Sequence, residues 1–200
     1  MNDYYEPRHL NVKKVIAIII LIGIVFLGIT LLVAKKISAP KLLANTEEKD
    51  STTIFYSPDQ KESLELLTSF NLKQYNSDLK YLMELRSDAN LDIFVSKEEV
   101  VKGRNFEEVV ENDKQAYLKN FNSSSNVSDV KELNIGENPA YSYSFHYLDN
   151  TLYKAFYLQV IWMQVEDTYY IFDIEFPLDD LTLNSNIASA VISNFEIYEK

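Results

Sequence analysis

The sequence predicts an α+β domain carried behind a single membrane-spanning helix. Three observations predict it. An uncharged apolar run lies between two lysine pairs in KKVIAIIILIGIVFLGITLLVAKK, residues 13–36. An apolar stripe at helical spacing runs from Phe106 to Phe121. From Tyr141 to Phe176 the apolar residues alternate at a period of two, interrupted only by short turn signals.

The first element is the apolar run. Val15 to Ala34 holds no charge, and Thr30 is its only hydroxyl. About 20 residues make about 30 Å of helix, the thickness of a bilayer's hydrocarbon core. Backbone polar groups must be paired inside lipid, so the run is expected to be helical. The lysine pairs at either end reach the headgroups. A cleaved secretion signal is the rival reading, but its apolar region is about 7–15 residues and ends in a small-x-small site. Here the run is longer, Ser38-Ala39-Pro40 places proline after the small residue, and Leu32-Val33-Ala34 lacks a small residue at the third position back. The run reads as an uncleaved anchor. Arg8, Lys13 and Lys14 on one side balance Lys35, Lys36 and Lys41 on the other, so lysine and arginine do not decide orientation. Long domains translocate largely regardless of charge. The short tail 1–12 is therefore expected in the cytoplasm, and the bulk of the chain outside the cell membrane. The expected divisions are tail 1–12, anchor 13–36, linker 37–51 and domain 52–200.

Composition narrows the partners. Residues 41–200 carry 14 basic against 28 acidic side chains, a net −14. Such a surface repels nucleic acid and anionic headgroups. With no cysteine in the chain, disulfides, thiol chemistry and zinc–thiolate sites are excluded.

The elements of the domain follow in order. Thr53 to Tyr56 reads as a short strand, and 60–70 as helix or irregular chain. Asp78–Arg86 and Leu91–Ser96 read as strands around the turn Ser87-Asp88-Ala89-Asn90. Asn105 is placed to cap a helix, with Glu108 three residues on and Phe106, Val109, Val110, Tyr117 and Phe121 on one stripe. Val127–Ile135 reads as a strand, Gly136–Pro139 as a turn, and Tyr141, Tyr143, Phe145 and Tyr147 as one face of the next strand. Leu152–Val165 and the strand carrying Tyr170, Phe172, Ile174 and Phe176 complete an antiparallel meander, because the connections are too short for parallel crossovers. Asn184 or Ser185 is expected to cap a last helix through Ile187, Ala190 and Val191, before a closing strand at 195–198. Both helices are expected to cover the Phe156/Val160/Phe172/Ile174 face.

With "NIGENPAY" ahead of the meander and "ISNFEIYEK" at the close, residues 78–200 resemble the PsbP-like fold. That family often carries an N-G-x-x-A-Y turn, here Gly136, Ala140 and Tyr141. It often ends in a helix and an SF-x-I strand, here Ser193, Phe195 and Ile197, with Asn194 inserted. The resemblance implies an accessory role in a membrane or envelope complex and brings no catalytic residue with it. A conjugation-machinery domain is the rival fold, and the helix after the meander argues against it.

No catalytic constellation is legible. His146 stands mid-strand without a second histidine or a cysteine in the domain, and no nucleophile elbow or phosphate loop occurs. Asp173 and Glu175 share a strand face that reads as solvated acid. The spacing of the carboxylates matches no calcium loop, so neither a metal nor a cofactor is expected. The tyrosines suggest recognition instead. Tyr141, Tyr143, Tyr153 and Tyr157, with Tyr147 and Tyr169 nearby, form the expected face for a protein partner in the envelope. A small-ligand or ion-binding sensor is the alternative, and an enzyme is disfavoured.

Overall fold

Turns of two residues set the register of the sheet. Gly136-Glu137 and Glu166-Asp167 each reverse the chain between directly paired residues. The first turn position has φ +62° at Gly136 and +52° at Glu166, as primed hairpin turns require. The computed structural model describes residues 41–42, 46–49, 51–76, 81–121 and 123–198. They belong to one unit, Pro40–Lys200. In order the elements are β1 (Lys41–Leu42), β2 (Thr46–Lys49), β3 (Thr52–Tyr56), β4 (Glu62–Leu67), β5 (Lys73–Asn76), β6 (Tyr81–Arg86), β7 (Asp92–Glu99), α1 (Phe106–Asn120), β8 (Lys131–Ile135), β9 (Asn138–Asp149), β10 (Lys154–Val165), β11 (Thr168–Pro177), α2 (Leu181–Ser193) and β12 (Phe195–Ile197).

Among the described residues the strands form two antiparallel sheets. The larger runs β1-β5-β6-β7-β11-β10-β9-β8, and the smaller β12-β4-β3-β2. Three layers result. α1 covers one face of the large sheet, packing Val110, Phe106, Val109, Tyr117 and Phe121 onto Tyr143, Phe145, Phe156, Val160 and Trp162. The small sheet and α2 cover the other face, where Phe55, Leu64, Leu66, Ile187 and Val191 meet Ile93, Val95, Ile161, Phe172 and Ile174. Asn105 caps α1 as the sequence indicated, its Oδ1 accepting from Glu107 N at 2.8 Å and Glu108 N at 3.4 Å.

Several expectations are corrected. Residues 60–70 hold strand β4 and a single 3₁₀ turn, because Phe55↔Leu64 and Thr53↔Leu66 pairing buries their apolar side chains. The stretch read as linker, 37–51, supplies β1 to the edge of the large sheet and β2 to the edge of the small one. Main-chain pairing, which needs no apolar pattern, made this segment invisible to periodicity. The strand expected over 127–135 is paired only from Lys131. Before it, Ser125 bridges His146 along β9. α2 begins at Leu181, ahead of the expected cap. The two helices do not share a face. Val160 pairs with Asp173 and Ile161 with Phe172, so Phe156 and Val160 look toward α1 while Phe172 and Ile174 look toward α2. No helix among the described residues is long and apolar enough to cross a membrane. The tail 1–12 and the anchor 13–36 lie outside the described residues.

Candidate functional site

The α1-covered face carries a seam of hydroxyls and carboxylates. Direct pairing puts Asp173 beside Val160 and Phe94, and Glu175 beside Leu158 and Asp92. Both acids therefore share the face of the aromatic residues under α1. Tyr117, on α1, donates its hydroxyl to Asp173 Oδ2 at 2.6 Å. In the reverse sense, Asp113 on α1 accepts from Tyr143 at 2.7 Å and from Trp162 Nε1 at 3.1 Å. Glu175 lies close enough to the Tyr147 hydroxyl to help raise it, after burial. Three strands and one helix are thus joined by polar links within an aromatic layer.

Burial sets the electrostatics. It pushes Asp173 up to about 7, against the lowering effect of the Tyr117 bond. Burial likewise raises Asp92 to about 6, with Arg86 opposing. Burial also raises Asp113 and Glu175, and the hydroxyls of Tyr117, Tyr143 and Tyr147 rise for the same reason. Asp173 Oδ1 is buried without a hydrogen-bond partner, which suits a carboxyl that holds its proton. The face expected to be solvated acid is instead part of the packed interior. Toward the far strands, Arg86 meets Glu84 at 2.6 Å, lies 3.7 Å from Asp92 and covers the ring of Phe94.

The predicted tyrosine face does not assemble. Tyr143 is 1% exposed and committed to Asp113. Tyr141 is half-buried against Phe106 on the same side, and Tyr147 and Tyr169 are buried there too. Tyr157 lies on the opposite face, stacked on Phe176 at 4.9 Å and edge-on to His146. Tyr153 is 86% exposed in the β9–β10 turn. His146 pairs its Nδ1 with Asn126 Nδ2 at 2.9 Å, a structural contact. No cluster of three or more histidine or acidic side chains among the described residues could hold a metal ion.

Two further features lie elsewhere. Glu62, 2% exposed between the sheets, holds Lys97 at 3.0 Å and Tyr170 at 3.3 Å. Burial, then Glu62, pushes the Tyr170 hydroxyl up to about 12. The stretches "NIGEN" and "ISNFEI" meet across a groove of about 730 Å³, lined by Ile135, Gly136, Met163, Ile192, Phe195 and Ile197 among others.

Sequence reasoning missed the seam's members Asp113 and Tyr117 and put Asp173 and Glu175 in water. The signal was present in the turn. Two residues at Glu166-Asp167 pair even-numbered residues of β10 with odd-numbered residues of β11, and so bring Asp173 to the Trp162 side.

No family model matches the chain, and no curated protein matches it. Among solved structures, the cyanobacterial PsbP (CyanoP) from Synechocystis sp. PCC 6803 is similar at 10% identity with a TM-score of 0.57, over 76% of this chain and 95% of that one. A Pseudomonas aeruginosa protein of unknown function described as a putative regulator, PA94, aligns at 10% identity and a TM-score of 0.48, over 74% and 99%. LpqN, involved in cell envelope biogenesis of Mycobacterium tuberculosis, aligns at 12% identity and a TM-score of 0.39, over 80% and 83%. The likeness to the cyanobacterial structure, together with the layer order described above, gives this domain the PsbP-like fold.

Proposed function

We propose that this PsbP-like domain is a membrane-tethered, non-catalytic accessory module that binds a protein partner outside the cytoplasm. One observation carries the reading. The uncharged run Val15–Ala34, set between lysine pairs, stands directly ahead of the domain and has the length of a bilayer span. The acidic surface of residues 41–200 supports a protein partner over nucleic acid or anionic lipid. Protease protection tests the reading. Externally added trypsin should remove the domain from intact cells, while residues 1–36 stay in the membrane fraction. A mature chain that starts after residue 34, or a domain shielded until lysis, would refute it.

The second reading, a small-ligand sensor, draws on the groove between "NIGEN" and "ISNFEI", whose volume lies in the range of ligand pockets. A gain in melting temperature with an amphipathic small molecule, abolished by Met163→Trp, would favour it.

A further inference from the structure

Side chains alone join α1 to the large sheet. Among the described residues no main-chain bond ties 106–120 to a strand. The apolar stripe of the helix rests on the aromatic layer. Its polar ties to the strands pass through two carboxyls. Tyr117 donates to Asp173 at 2.6 Å, and Asp113 accepts from Tyr143 at 2.7 Å and Trp162 at 3.1 Å. The two ends of the helix are held differently. Beyond Phe121 the chain is fastened to β9: Ser125 and His146 exchange both main-chain bonds at 2.8 Å, and Ser128 N donates to Ser144 O at 2.8 Å. Ahead of Asn105, residues 101–104 form an exposed turn closed on itself by Arg104 N to Val101 O at 3.3 Å. The helix is hinged at its C-terminal end and lightly held at its N-terminal end.

Charge beneath the helix is lopsided. From α1, Asp113 and Tyr117 face Asp173; from its own strand, Glu175 does. From β9 comes Tyr143, with Tyr147 facing Glu175, and from β6 come Tyr81 and Glu84. On this side β10 presents Leu158, Val160 and Trp162, and β7 presents Phe94 and Asp92. The cations are engaged with other acids. Arg86 holds Glu84 at 2.6 Å and lies 3.7 Å from Asp92, and Lys114 on α1 holds Glu111 at 3.4 Å. Asp173 is thus set among acids and hydroxyls, and its Oδ1 is buried without a hydrogen-bond partner. Such a site favours the neutral carboxyl over the charged one.

We propose that α1 is a proton-governed flap: it lies closed while the Asp173 carboxyl is protonated, and loss of that proton lifts it from the aromatic layer while the strands stay paired. An ionised Asp173 regains water only when the helix lifts. Burial places its closed-state titration at about 7 against 3.8 ordinarily. The closed value is raised, so the advantage of the closed form is complete below about pH 4 and is lost as pH climbs through 7. Between pH 5 and 8 the opening equilibrium rises by up to about 90-fold. Opening uncovers Tyr143, Phe145, Phe156 and Trp162, which are 1%, 0%, 2% and 4% exposed when the helix is down. The flap does not depend on the accessory-module reading.

Thiol labelling of the full chain in detergent, without denaturant, tests the proposal. The chain has no cysteine, so a single introduced thiol reports one position. Val110→Cys sits on the inner side of α1, and Val95→Cys on the sheet face covered by the small sheet; both positions are 0% exposed. Each maleimide rate is divided by that of the urea-unfolded chain at the same pH, which removes the thiol's own titration. Support requires three results. Position 110 labels at least tenfold faster than position 95 at pH 8, because a local opening precedes global unfolding. Its corrected rate rises at least tenfold from pH 5 to 8. Asp173→Asn cuts that rise at least fivefold. A rate at position 110 within tenfold of that at position 95 means that the helix leaves only when the whole fold does, and overturns the proposal without recourse to the Asp173 variant. A smaller rise with pH, or one that Asp173→Asn cuts by less than fivefold, overturns it as well.

Discussion

Replacing Asp173 by asparagine should stabilise the domain at alkaline pH. The side chain keeps an acceptor for Tyr117, and it loses a charge that burial disfavours. Asp173 titrates at about 7 in the fold against 3.8 ordinarily. Its folded value is raised, so its contribution is fully present below the unfolded value near 4 and is lost as pH climbs through 7. At about 1.4 kcal/mol per pH unit, the ceiling on the loss is about 4 kcal/mol. Wild type should therefore weaken between pH 4 and 8, and the variant should weaken less. Their gap should widen steadily from about pH 4 to 7, flatten above 7, and reach about 1–4 kcal/mol at pH 8; the titration of Asp92 is common to both proteins. Urea unfolding of the full chain in detergent reads this directly. Trp162 is the chain's single tryptophan, and it reports from inside the seam. A variant less stable than wild type at pH 8, or with the same pH slope, would refute the buried, proton-holding account of Asp173.

Three other outcomes follow from the packing. Tyr143→Phe should cost about 1–3 kcal/mol by leaving Asp113 with Trp162 alone; an unchanged urea midpoint would remove Asp113 from the load shared between helix and sheet. Asn105→Ala should cost about 1 kcal/mol through two freed amides, seen as faster amide exchange in the first turn of α1. Lys97→Met should cost about 1–3 kcal/mol by leaving the buried Glu62 with Tyr170 alone; adding Glu62→Gln should recover much of that, and strict additivity of the two in thermal melts would contradict the coupling.

The α1 helix, its cap and the meander were legible because each shows a strong period and a recognisable boundary: Asn105 before Phe106, Glu166-Asp167 between two runs of alternation. What stayed hidden depended on parity and on main-chain pairing. Shifting a strand by one residue exchanges its faces, and β10 and β11 are apolar on both sides. Alternation alone could not tell whether Phe172 or Asp173 faces Trp162. The tyrosines looked like a surface for the same reason. Amphipathic rings satisfy a buried carboxylate as readily as they meet water, and which they do depends on the helix laid over them. Tyr153 was found by the sequence but for a face it does not join.

The segment from Lys41 to Lys49 fastens the outermost strand of each sheet, β1 against β5 and β2 against β3. A chain trimmed to begin at Thr52 would leave two rows of amide and carbonyl groups bare on neighbouring sheets. Bare edges recruit other strands, so such a fragment is headed for self-association, and preparations of the domain alone should start no later than Pro40.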